Sequence, residues 1–153
     1  MHKFITNSYK QTQKLGEKLA KEILKQGLKK TAIVLALQGN LGGGKTTFLQ
    51  GFAKGLNIQN KVLSPTFNIY KKFQIPNLKS QIPKFNHFYH FDCYRIKNAK
   101  EILEMGFGDI ILNSENIIAI EWSEKIKKEL PRSAIIIKFD FIDKNQREIV
   151  INF

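Results

Sequence analysis

Residues Thr31 to Thr46 read TAIVLALQGNLGGGKT, and this stretch decides the fold. Thr31 to Gln38 is a continuous apolar run of strand length, the pattern of a strand covered on both faces. Gly39 to Thr46 matches the phosphate-loop pattern G-x-x-x-x-G-K-[ST]. From Lys45 to Leu56 the apolar residues Phe48, Phe52 and Leu56 recur every four positions, so a helix is expected to start inside the glycine-rich turn. Strand, glycine loop and helix in that order predict an anion site. Gly39, Gly42, Gly43 and Gly44 let the backbone aim its N–H groups at phosphate oxygens, and the helix N-terminus adds partial positive charge. Lys45 is then expected to reach the β- and γ-phosphates of a nucleotide, and the Thr46 hydroxyl to ligate magnesium.

Outward from this stretch, helices and strands alternate. Leu15, Leu19, Ala20, Ile23 and Leu24 share one helical face, with Gly27 as terminator. Val62 to Thr66 and Phe67 to Phe73 read as short extended pieces around Pro65, an edge or a switch loop. Ile75 to Pro83, with two prolines, reads as a surface excursion. Phe85 to Tyr94 is aromatic-rich and strand-like. Asn98 precedes Glu101 at capping-box spacing, ahead of a helix that carries Ile102, Leu103 and Met105 and closes at Gly106. Asn116 to Ile120 is a buried-strand pattern ending in Glu121-Trp122. Ser123 is expected to cap a short helix that stops at Pro131. Ala134 to Phe141 and Arg147 to Phe153 read as an antiparallel hairpin. The expectation is one α/β domain over residues 1–153 of the P-loop NTPase fold, with a mostly parallel central sheet flanked by helices and a C-terminal antiparallel hairpin.

A phosphate loop binds nucleotide, but hydrolysis also needs a carboxylate for the metal and a group to orient water. Two acids qualify. Glu121 follows the apolar strand Ile117 to Ile120, at the carboxyl edge where open α/β sheets bind ligands, and Asp92 follows Phe88 to Phe91 in the same way. Each could instead be a capping or salt-bridged acid at a strand end. His90 could orient a neighbouring acid or be a satisfied strand histidine. With His87 it lacks a third ligand, so no zinc site is expected. Ser64 and Thr66 lie where P-loop proteins often keep a switch hydroxyl, although a proline turn explains them equally well.

The chain carries 25 Lys and Arg against 13 Asp and Glu, a formal net charge of +12. Such a balance permits a polyanionic partner, but the lysines are spread along the chain and form no block. A single cysteine, Cys93, cannot form an internal bridge, which points to a reducing cytoplasmic compartment. The N-terminal residues form no apolar signal region, and no apolar run approaches bilayer length, so no membrane association is expected.

Gly39 to Phe48, then Ser64-Pro65-Thr66-Phe67, then His90-Phe91-Asp92-Cys93-Tyr94-Arg95, then Glu121-Trp122 resemble, in order and spacing, the bacterial TsaE (YjeE) family. The resemblance covers nearly the whole chain. It implies an ATPase, weak alone, that acts with TsaB and TsaD in forming the N6-threonylcarbamoyl group on adenosine 37 of tRNAs reading ANN codons, and that does not itself make the carbamoyl transfer. By the same resemblance Thr46 and Glu121 look like the magnesium ligands, Lys45 the phosphate clamp, and Asp92 a catalytic acid that orders water or metal. Thr47, Thr12 and Arg147 match positions near the nucleotide, and Trp122 a pocket or partner-contact position. ATP and Mg2+ are the implied cofactors. tRNA is expected only through the complex, and DNA is not expected. Asn40 stands where the family usually has Asp, Gly43 where it has Ala, and Cys93 where it has Leu, while the excursion Ile75 to Pro83 is longer than usual. None of these changes removes a phosphate-binding amide or hydroxyl.

Two other readings remain open. A small-molecule P-loop kinase would need an arginine-bearing lid, yet only Arg95, Arg132 and Arg147 occur, scattered. A non-catalytic module would use nucleotide only to order Ser64 to Phe73 for docking. No Asn-Lys-x-Asp guanine-reading segment is found, which favours ATP over GTP.

Overall fold

The computed structural model describes residues 1–64, 68–77 and 84–153. In chain order it comprises β1 (His2–Thr6), α1 (Tyr9–Gln26), β2 (Ile33–Gln38), α2 (Lys45–Gly55), β3 (Tyr70–Gln74), β4 (His87–Asp92), α3 (Lys100–Glu104), α4 (Phe107–Leu112), β5 (Asn116–Glu121), a 3₁₀ segment (Ser123–Glu129), β6 (Ile135–Phe141) and β7 (Arg147–Asn152). All strands join one sheet in the order β1-β7-β6-β2-β5-β4-β3. The four central strands β6, β2, β5 and β4 run parallel. The flanking pairs β1–β7, β6–β7 and β3–β4 are antiparallel. The sheet is therefore mixed, with the expected parallel centre and antiparallel strands added at both flanks. The parallel centre is continuous, and antiparallel strands close both sides.

The central strands are apolar on both faces because both are covered. On one side Leu35, Leu37, Phe88 and Ile117 pack with Leu19 and Ile23 of α1 and Phe48, Leu49 and Phe52 of α2. On the other, Val34, Ala36, Phe91, Ile118 and Ile120 pack with Ile102, Phe107 and Ile126 from α3, α4 and the 3₁₀ segment. β1 has no counterpart in the apolar pattern. It is an edge strand with three of its five residues exposed, held by its ladder to β7 and by the ion pair Lys3–Glu148.

Two capping expectations resolve differently. Asn98 Oδ1 accepts from the Lys100 amide and Glu101 Oε1 from the Lys97 amide, a box displaced around Ala99, the residue that precedes α3. Ser123 is not a cap: its Oγ donates to the Leu37 carbonyl at 3.2 Å, and Trp122 opens the 3₁₀ segment in the left-handed conformation. The reason is position. Ser123 stands two residues past the end of β5 and lies against β2, whose last carbonyls need donors where the ladder ends. Pro65, Thr66 and Phe67, and positions 78–83 of the expected excursion, lie outside the described residues.

α1 and α2 cross closely through glycines. A Cβ on Gly51 would lie 1.8 Å from the Gln13 carbonyl oxygen, and one on Gly16 2.1 Å from that of Phe48. These obstacles are backbone atoms and cannot rotate away. Gly51→Ala is expected to lower stability by about 3 kcal/mol, read as a fall in urea midpoint at constant m-value. Gly108→Ala, where a Cβ meets nothing within 4 Å, is expected to raise it by about 0.5–1 kcal/mol.

Candidate functional site

The parallel centre brings its strand ends together. Leu37 of β2 pairs with Glu121 of β5, and Glu121 with Asp92 of β4, so both acids stand on one sheet edge beside the exit of β2. Residues 39–44 cross that edge to α2. Gly39 has φ 133°, and a Cβ there would lie 2.3 Å from the Phe139 carbonyl oxygen. Gly44 caps α2 at φ 95°. Only glycine meets both demands. The first-turn amides of α2 have no helical acceptors and face the loop side.

The loop borders a cavity of about 590 Å³. Ser8, Tyr9 and Thr12 at the start of α1 line it, as do Lys144 and Asn145 of the β6–β7 turn and Arg147 at the start of β7. Asp92, Tyr94, Glu121 and Trp122 close the sheet side, and Ser64 reaches in from the segment after α2. Gly42, Gly43, Gly44, Lys45, Thr46 and Thr47 also line it. Every site residue expected from the sequence meets at this place except Gly39, which lies behind the loop under Phe139, and Thr66, which lies outside the described residues.

Lys45 is buried, at 5% exposure. Its ammonium donates to the carbonyls of Gly39 and Asn40, the latter at 3.0 Å, and sits 4.3 Å from the centre of the Trp122 ring. Burial lowers its pKa below the usual lysine range, and Glu121, Glu124 and Asp92 oppose that shift. The Thr46 hydroxyl lies 3.0 and 3.2 Å from the two Glu121 carboxylate oxygens and 3.1 Å from Ser64 Oγ. A carboxylate only accepts, so Thr46 donates to Glu121 and Ser64 donates to Thr46. Glu121 is 3% exposed, and His90 Nε2 lies 2.9 Å from its Oε1. Burial raises the pKa of Asp92, the Tyr94 amide on its Oδ1 at 2.9 Å lowers it, and the Glu121 charge raises it further.

Arg147 ties the hairpin to the loop. Its Nε donates to the Gly42 carbonyl at 3.0 Å, and its Nη1 to those of Asp143 and Gln146. Thr12 is buried, its Oγ1 2.8 Å from that of Thr6, and its methyl lies 3.6 Å from where a Gly44 Cβ would be. It supports the loop from behind as well as lining the cavity. Thr46 and Glu121 together offer hydroxyl and carboxylate oxygens, the donor chemistry of a hard divalent cation, with Asp92 next in register. Among the described residues no three His, Cys, Asp or Glu side chains come together as a metal-binding group.

Sequence reasoning missed Ser8, Tyr9, Tyr94, Lys144 and Asn145 as cavity residues. Ser8 carried a signal: Ser8-x-x-Gln11 is a capping-box pattern, and Ser8 Oγ does accept from the Gln11 amide at α1's start. Lys144 and Asn145 had none, because their place depends on a hairpin folding back beside the loop.

Residues 6–149 match the profile of a family described as "Threonylcarbamoyl adenosine biosynthesis protein TsaE". The chain is 36% identical over 130 residues to the tRNA threonylcarbamoyladenosine biosynthesis protein TsaE of Haemophilus influenzae, over 85% of this chain and 76% of that protein. It is 38% identical over 144 residues to the TsaE protein of Rickettsia felis, over 94% and 75%. The crystal structure of Bacillus subtilis YdiB matches with a TM-score of 0.73 at 28% identity, over 98% of this chain and 83% of that one.

Cys93 abuts the site, its amide donating to the Glu121 carbonyl at 3.0 Å. Burial, with the Asp92 charge beside it, pushes its thiol up to about 12. At pH 8 the native chain is expected to resist a disulfide-exchange reagent and to label only on unfolding in urea; rapid labelling of the native chain would show that this strand edge opens.

Proposed function

Because the chain belongs to the TsaE family of threonylcarbamoyl adenosine biosynthesis proteins, we propose that it serves that tRNA modification as a magnesium-dependent P-loop ATPase. The observation that carries this reading is the Thr46–Glu121 contact beside Lys45, which joins a phosphate-loop helix to an acid on the next parallel strand. The loop amides and Lys45 hold the phosphates, with Thr12, Thr47 and Arg147 around the nucleotide. Lys45, now on the loop carbonyls and Trp122, exchanges those neutral partners for phosphate oxygens. Thr46 and Glu121 hold magnesium, which when bound withdraws charge from the phosphate oxygens. Asp92 accepts a hydrogen bond from the attacking water. Water oxygen bonds to the γ-phosphorus as the bond to the ADP oxygen breaks, giving ADP and inorganic phosphate.

The partners are the TsaB and TsaD proteins, with tRNA reached through that complex, and the setting is the cytoplasm. Among the described residues no helix is long and apolar enough to cross a membrane. A second reading draws on the Ser64–Thr46 hydrogen bond, which links the segment after α2 to the cation-side hydroxyl. On that reading nucleotide orders the segment for docking without turnover.

ATP hydrolysis by the purified chain, alone and with TsaB, TsaD and tRNA, decides between them. Turnover is expected to rise with the partners and to vanish in Lys45→Ala. Binding without turnover under every condition favours the docking switch. Glu121→Ala is expected to retain ATP but to lose about 10²-fold or more in turnover; unchanged turnover moves the principal catalytic role to Asp92.

A further inference from the structure

Successive β4 side chains alternate between the sheet faces, so Phe88, His90 and Asp92 share one face. Phe88 packs against Phe52, which identifies it as the face beneath α2. His90 is fully buried there, level with Ala119 of β5, and its Nε2 lies 2.9 Å from Glu121 Oε1. Its Nδ1 is buried with no partner among the described residues. The imidazole therefore spends its single hydrogen bond on the carboxylate that also meets Thr46.

An apolar side chain would fill this place without burying two nitrogens, one of them unmatched. What His90 supplies is a donor under Glu121. The carboxylate only accepts, so Nε2 is the ring nitrogen that donates to it. Thr46 approaches the carboxylate from the α2 side and His90 from within the sheet. Between them they leave Glu121 little rotational freedom.

We propose that His90 is a positioning residue that holds the Glu121 carboxylate in its Thr46-facing orientation and so preorganises the cation site, an inference that rests on the magnesium reading above. Hydrogen-bond partners behind a ligand typically contribute 10- to 100-fold to metal affinity. His90 touches no substrate atom in this account. Its effect passes through Glu121.

The test uses the full chain with ADP and Mn2+ as the probe, free Mn2+ being read by electron paramagnetic resonance. His90→Leu removes the donor, and is expected to weaken Mn2+ binding about 10-fold. His90→Gln restores an N–H at similar reach, and is expected to stay within about 3-fold of the parent. Parent-like Mn2+ affinity in a folded His90→Leu, alongside loss in Glu121→Ala, overturns the role of His90 while leaving the cation site standing. If Glu121→Ala also binds as the parent does, the magnesium reading fails and the positioning role falls with it. Should His90→Leu not fold, imidazole nitrogen NMR of the parent decides, since the chain has only three histidines. The Nε2–H tautomer at His90 is the expected result, and an Nδ1–H tautomer overturns the proposal.

Discussion

The parallel register that sets Leu37, Glu121 and Asp92 side by side is the constraint on which the rest of the site depends. It places two acids from distant parts of the chain on one edge, next to the point where β2 gives way to the phosphate loop. A one-residue slip of β5 would turn Glu121 to the opposite face and leave Thr46 without its carboxylate. Register here is well specified, because β5 is buried along its whole length and each residue has a packed place on one face or the other.

A second demand follows from burial. Lys45, Glu121 and His90 are all withdrawn from water, and an unpaired charge in such a place is costly. The chain meets this by mutual satisfaction. Lys45 rests on two carbonyls and an aromatic face, while Glu121 receives Thr46 and His90. The arrangement holds the lysine and the acid apart, each with its own partners. The orphaned Nδ1 of His90 is the one point where satisfaction fails among these groups, and it lies directly behind the carboxylate.

Support for the loop comes from elements remote in sequence. Thr12 packs behind Gly44, and the glycine-mediated crossing of α1 on α2 keeps that helix near the loop. Arg147, the first residue of β7, donates to the Gly42 carbonyl. The antiparallel strands at the sheet's flank thus position the phosphate loop as well as closing the sheet.

Local patterns determined a good deal. The run TAIVLALQ followed by GNLGGGKT defined a strand, a loop and a helix within a residue or two, because apolar periodicity and glycine spacing are read over a few neighbours. The same held for β4, β5 and the closing hairpin, and the two acids at their strand ends were legible as candidates. Only the tertiary structure decided that Glu121 meets Thr46 and His90, that Ser123 serves the Leu37 carbonyl and caps nothing, and that β1 adds an edge to the sheet. Those outcomes turn on which strand lies beside which and in what register. Such pairings join residues up to about a chain length apart, and no short-range pattern of apolar and polar residues encodes them.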